Sequence, residues 1–276
     1  MDRKAHTAVC PPTPDSPVME FAMANARASF KYLWRELTWE YRRIVPALEL
    51  SAVKAAFNDP GGDPAGIEHM WLSNIRFDGD VIVATLLNSP HGLRLLKEGE
   101  EIALRLEHLE DWMYVLSGRV YGGFTIQALR AAMSRAERKG HDSAWGFEFP
   151  EPEKVNLAPD WKNTKRPSVL GRLLKYTPPP PNPDEEHPMS INMAADGLAE
   201  AIEENPEGYL RQCDESGLNT LHSLALGGSV ACVKVLLEKG ADPHVKTKSG
   251  HTARALAEAM GWGEVANLLK ASELSQ

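Results

Sequence analysis

GLNTLHSLALGGSVACVKVLLEKGADPHVKTKSGHTARALAEAMGWGEVANLLK, residues 217–270, decides the fold of the last third of the chain. Gly217 and Gly250 stand 33 residues apart, each is followed closely by a threonine (Thr220 and Thr252), and each opens a pair of short apolar helical runs. Leu221, Leu224 and Ala225 form one apolar stripe, and Val230, Val233, Leu236 and Leu237 form a second. Their spacing at i, i+3, i+6 and i+7 is that of one helix face. Helices this short are unstable alone, so each must bury its stripe against its partner and against the next unit. Ala225, Gly227 and Gly228 are small enough for close approach, and Gly240 stands where a left-handed residue ends a helix at little cost.

A repeat of this length, built of helix pairs, is the period of a solenoid. The segment resembles the ankyrin repeat family, whose TPLH box reads here Asn219-Thr220-Leu221-His222 and whose LLxxGADP segment is Leu236 to Pro243. Asn219 stands for the usual Pro and Ala253-Arg254 for the usual Leu-His, departures expected of a terminal unit whose outer face meets water. Upstream, Ile191 to Leu210 reads as a degenerate opening helix pair. About two and a half units lie near the lower limit for a free-standing stack, so the array is expected to lean on the rest of the chain. The resemblance implies a non-enzymatic binding surface on the loops and inner helix face. It also implies structural roles for Gly217, Thr220, His222, Gly240 and Gly250, with His222 and Thr220 stitching loops by hydrogen bonds.

The first half reads differently. Met19 to Leu37 suits an amphipathic helix ending before Thr38, with one apolar row through Phe21, Ala24, Ala28 and Tyr32 and an alternative row through Phe30, Leu33, Trp34 and Leu37. Tyr41 to Phe57 is ambiguous between strand and helix around Pro46, and Asn58 to Gly66 is a Gly- and Pro-rich loop. His69 to Ile75 and Val81 to Leu87 flank Asp78-Gly79, a hairpin signal. Glu101 to Leu106 alternates as a strand, Trp112 to Leu116 and Arg119 to Phe124 pair around Ser117-Gly118, and Ile126 to Arg138 has helical period. The fold class is α+β: a small antiparallel sheet with flanking helices, followed by a short all-α ankyrin-repeat module. Four segments are expected: a disordered lead over 1–18, an α+β domain over 19–140, an aromatic and Pro-rich bridge over 141–187, and the ankyrin-like module over 188–276.

A second resemblance covers about Met19 to Met133. Glu68-His69-Met70-Trp71, Phe77-Asp78-Gly79-Asp80, Leu86-Leu87-Asn88-Ser89-Pro90 and Asp111-Trp112-Met113-Tyr114 followed by Gly118 to Thr125 resemble the bacterial domain of unknown function 2314. That family brings no established activity with it.

Charge is unevenly divided. Residues 184–276 hold 7 Lys+Arg against 15 Asp+Glu, a net of −8, so residues 1–183 are balanced and the whole formal charge of −8 lies on the last third of the chain. An acidic face of this kind argues against direct nucleic-acid binding and suits either a solvated surface or a landing site for a basic partner. No apolar run approaches the length of a membrane span. The first residues lack the apolar core of a secretory signal, and Cys10, Cys213 and Cys232 are scattered without metal-ligand spacing, so a reducing cytoplasm is expected.

The cluster closest to chemistry is Glu107, His108, Glu110 and Asp111, with Glu68-His69 elsewhere. A histidine among carboxylates can act as a base or metal ligand. The competing reading is a solvated turn that scatters these side chains and keeps one carboxylate as a cap. No catalytic, metal or cofactor residue is assigned. Tyr121-Gly122-Gly123-Phe124 lacks the spacing of a phosphate-binding loop, and its glycines are read as allowing a turn or a close approach. The expected function is protein binding without catalysis. Chains that join a small α+β domain to short ankyrin arrays resemble the immunity proteins encoded beside secreted interbacterial toxins, which implies a basic, nucleic-acid-targeting toxin domain as partner, bound by a monomer as a heterodimer. Asp214, Glu215, Lys246, Lys248, His251 and Trp262 are the expected contact residues. The alternatives are an enzyme or small-ligand sensor using the α+β domain, or a cytoplasmic ankyrin scaffold.

Overall fold

The computed structural model describes residues 8–12, 14–161 and 182–274. The run of prolines expected to mark a boundary, 178–181, and the first seven residues lie outside them. Helix α1, Pro17–Glu40, starts at Ser16, whose hydroxyl accepts from Met19 N, and runs three residues past the stop expected before Thr38. Thr38 stays helical because its hydroxyl donates to Trp34 O and because Trp39 is buried. The row through Phe30, Leu33, Trp34 and Leu37 enters the core, and of the other row Tyr32 joins it while Phe21 is 71% exposed.

Seven strands follow one antiparallel plan. They are β1 (Val9–Cys10), β2 (Leu48–Phe57), β3 (Glu68–Phe77), β4 (Val81–Leu86), β5 (Glu101–Arg105), β6 (Leu109–Leu116) and β7 (Arg119–Gly122), in the order β5-β4-β3-β2-β6-β7, with β1 paired to β2. The ambiguous segment after Tyr41 therefore supplies the central strand. Within the stretch expected to be disordered, Val9 and Cys10 pair with Phe57 and Ala56. Alternate residues of β2 go to opposite faces: Val53, Ala55 and Phe57 join the core under α1, whereas Ala52 packs on the outer face with Met113, Val115 and Ile126.

The helix expected over 126–138 is two helices. Helix α2, Phe124–Ala132, ends at Met133, and α3, Arg135–Trp145, restarts at Ser134 through a reciprocal capping box with Glu137. Trp145, Phe147 and Phe149 then fold back on the outer face of the sheet, so this part of the aromatic bridge packs across the first domain. The C-terminal region is helical: α4 (Pro188–Ala195), α5 (Leu198–Glu204), α6 (Pro206–Leu210), α7 (Thr220–Leu226), α8 (Val230–Glu238), α9 (Ala253–Ala259) and α10 (Gly263–Glu273). Its apolar residues, Leu221, Leu224, Val233 and Leu236 among them, belong to the same continuous core as α1 and the inner face of the sheet.

Candidate functional site

The edge formed by the loops ahead of α7 and α9 is built from the 33-residue repetition. Gly217 and Gly250 both adopt positive φ, 81° and 87°. Asn219 and Thr252 then cap α7 and α9 in extended geometry, accepting from His222 N and Ala255 N. It is Asn219, not Thr220, that carries the first of these caps. Lys248 N donates to Ser216 O at 3.0 Å, tying the two loops side by side. His222 completes the stitching: its Nδ1 accepts from Asn219 N at 3.3 Å, which leaves Nε2–H to donate to Val245 O at 3.0 Å. Burial pushes the pKa of His222 down although the carbonyl bond opposes it, so the neutral tautomer is favoured. Gly240 follows α8 with φ 90°, a left-handed C-terminal stop.

Of the six expected contact residues, the structure leaves four exposed, half-buries His251 and buries Trp262. Asp214, Glu215, Lys246 and Lys248 are exposed, and Asp214 Oδ1 also accepts from Ser216 N and Leu218 N, which fixes the loop. His251 Nε2 instead lies 3.0 Å from both carboxylate oxygens of Asp80, at the tip of the β3–β4 hairpin. Trp262 is 7% exposed and its indole N–H donates to Leu226 O. Its ring sits against Tyr32 and beneath the Lys31 ammonium, 4.4 Å from the centroid. Sequence reasoning could not separate these roles, because the surface that covers Trp262 comes from α1, more than 200 residues away in the chain.

That surface is the seam between α1 and the helical region, and it is charged as well as apolar. Lys31 Nζ reaches Asp184 at 2.7 Å and Tyr32 donates to the same carboxylate at 3.0 Å. Burial would raise the pKa of Asp184, but its bonds to Lys31 outweigh burial and hold it below the usual range. The Tyr32 phenol is pushed up to about 12 by burial and by Asp184. Arg35 Nη1 donates to Pro183 O and Glu185 O. Behind it, Glu36 is wholly buried, with His187 Nε2 at 3.5 Å and Arg35 Nε at 4.0 Å. His187 stacks on Trp39 at 5.6 Å while its Nδ1 caps α4 by accepting from Met189 N. No sequence motif announced Glu36 or His187 as members of one buried cluster.

The carboxylates expected in a turn are placed otherwise. Glu107 and His108 belong to a short 3-10 turn, Leu106–His108, but Glu110 and Asp111 lie on β6 and are fully buried. A bulge opposite Lys54 and Ala55 lets both face the outer side of the sheet. Glu110 binds His69 Nδ1 through both oxygens, at 2.9 and 2.8 Å, with Lys54 Nζ at 3.9 Å. Asp111 is the cap of α2: it accepts from Trp112 N, Phe124 N, Thr125 N and the Thr125 hydroxyl at 2.6 to 2.9 Å. Burial raises its pKa to about 6 in spite of those donors. Gly122 and Gly123, both at φ 73°, bring the backbone around to this cap, and a side chain on Gly122 would run into Trp112. Asp111 is thus spent on structure, and among the described residues no group of three or more His, Cys, Asp or Glu is arranged for a metal ion. The cleft of about 590 Å³ at loops 58–68 and 91–94 is walled by Asp59 and Glu68, which already accept backbone N–H groups of Arg94, His91 and Gly92. No helix among the described residues is long and apolar enough to cross a membrane.

Residues 16–149 match the family model described as "Uncharacterized protein conserved in bacteria (DUF2314)". The chain is 30% identical over 86 residues to the Escherichia coli protein YegJ, a stretch covering 31% of this chain and 54% of that protein. A shorter stretch of 54 residues is 39% identical to human protein phosphatase 1 regulatory subunit 27, covering 20% of this chain and 35% of the human protein. Over 256 residues it is 40% identical to a Neisseria meningitidis serogroup B protein named "Putative ankyrin repeat protein NMB1133/NMB1171", covering 93% of this chain and 94% of its relative. With nearly the full length of both chains aligned, this protein belongs to the bacterial family of that Neisseria protein.

Proposed function

We propose that the helical region is an ankyrin-repeat module that presents an acidic surface to a protein partner, and that the chain acts by covering that partner without transforming it. The observation that carries the reading is the family relation to a protein named for ankyrin repeats. The 33-residue recurrence of positive-φ glycine, capping residue and paired helices supports it. So does the net charge of −8 over 184–276, which favours a basic partner and opposes a nucleic-acid phosphate backbone. Asp214, Glu215, Lys246 and Lys248 form the contact edge, while His251 and Trp262 brace it from behind. Three free thiols suit the reducing cytoplasm. The partner class that fits an acidic cover is a domain with a basic substrate groove, such as a nucleic-acid-cleaving toxin, and the role is then that of an immunity protein.

The test is co-expression of the intact chain with the product of the adjacent gene. A complex that survives purification, together with rescue of cells expressing that product, supports the reading. Loss of both overturns the immunity role.

A further inference from the structure

Strand β5 ends the hydrogen-bonded path, and among the described residues it has β4 as its one strand neighbour. The ladder with β4 is regular, from Thr85 opposite Glu101 to Val81 opposite Arg105, and Leu86 N donates to Glu100 O just beyond it. Hydrogen-bonded and non-hydrogen-bonded pairs alternate along an antiparallel ladder. Ile102 and Leu104 therefore spend their backbone groups on β4, and Glu101, Ala103 and Arg105 turn theirs outward. The side chains follow the same alternation. Ile102 and Leu104 are buried in the core, Glu101 and Arg105 are exposed, and Ala103 between them is partly exposed.

Charged residues on an edge strand ordinarily keep other strands away. Here the signs are opposite, and they sit two residues to either side of a small central alanine. A second β5 laid antiparallel, with Ala103 facing Ala103, places Glu101 of each copy opposite Arg105 of the other. The three residues whose backbone groups face outward are also the three that meet in that register, so about six backbone hydrogen bonds would form across the axis. Glu101 already touches Arg76 on β3 within its own chain, and both are more than half exposed. In the paired arrangement its carboxylate lies between two guanidinium groups, a charge-assisted contact of the stronger kind. Ile102 and Leu104 would continue the inner apolar face from one copy into the next.

We infer that the β5 edge is a self-association surface, through which two copies of this chain join their sheets antiparallel about Ala103. The interface is isologous, so every substitution acts twice. It lies on the sheet domain, not on the loop edge of the helical region, and it stands independently of the proposed binding role.

Sedimentation of the purified full chain tests it without any partner. The wild type should be a dimer whose dissociation constant rises at least about tenfold in Glu101→Arg or in Arg105→Glu, since either change sets like charges opposite each other twice. The double variant Glu101→Arg/Arg105→Glu restores opposite charges across the axis while its new guanidinium still meets Arg76, so it should bind at least about threefold tighter than either single variant. Ala103→Pro removes the central outward N–H, a change an edge strand tolerates, and should give a folded monomer with an unchanged circular dichroism spectrum. A wild-type chain that stays monomeric at about 200 µM overturns the inference. So does a dimer indifferent to the single charge reversals, or a double variant no better than the singles.

Discussion

Asp111 shows how far a single side chain departs from the role its neighbours suggest. In the sequence it stands in a run of acids beside a histidine, and a capping role was one of the two readings available. What could not be read was the bulge that moves Glu110 and Asp111 from a solvated turn into the buried outer face of β6. Four donors converge on Asp111, three of them backbone N–H groups that would be left unpaired without it. Asp111→Ala should lower the free energy of unfolding by about 2–4 kcal/mol. The pH dependence has a definite sign. Burial gives the carboxyl a folded pKa of about 6, above its unfolded value. The folded state therefore binds this proton more tightly, and the associated stability is present in acid and lost as pH rises through about 6. Urea unfolding of wild type relative to Asp111→Asn should show the wild-type advantage growing as pH falls from about 7 to about 4. An advantage that is flat or shrinks over that window would show that the four donors, and not burial, dominate the site.

Among the elements, the two hairpins were the most legible, because Asp78-Gly79 and Ser117-Gly118 are local turn chemistry that needs no tertiary information. Strand β2 was the least legible: its Ala-rich sequence has little intrinsic preference for a strand, and only its place between β3 and β6 makes it one. The β3–β4 hairpin also does something the turn motif does not announce. Its tip docks on the helical region, with Asp80 against His251 and with Gly79, at φ 101°, facing Leu256 of α9 closely enough that a methyl group would collide with Leu256 Cδ2. Gly79→Ala should therefore destabilise by about 1–3 kcal/mol through backbone strain and that collision together. Denaturant unfolding of Gly79→Ala, Leu256→Ala and the double variant separates the two. The docked tip predicts that the double variant is more stable than the sum of the singles by at least about 0.5 kcal/mol. Strict additivity would mean that the hairpin does not rest on α9.

At the scale of the whole molecule, the sheet domain and the helical region share one core instead of being joined as two independent bodies. The need for such support was legible in the shortness of the helical array. The supporting surface was not, because it is assembled from the far side of the chain: Thr38 of α1 lies so close to α7 that a side chain on Gly227 would meet it at 2.8 Å. Lys31, Arg35 and Glu36 on the same helix hold Asp184, Pro183 and His187. Among the residues expected to touch a partner, the hairpin tip engages His251 and the seam claims Trp262, which leaves the loop edge at Asp214, Glu215, Lys246 and Lys248 facing outward. A module of net charge −8 binds a basic partner with an affinity that depends on salt and on charge at the rim. Calorimetric titration of the intact chain with the purified adjacent-gene product, at low and at moderate salt, measures this directly. Binding by the loop edge predicts that Asp214→Lys/Glu215→Lys weakens the complex at least about tenfold at low salt and that the deficit narrows as salt is raised. An affinity unchanged by the double reversal would contradict the claim that these loops do the covering.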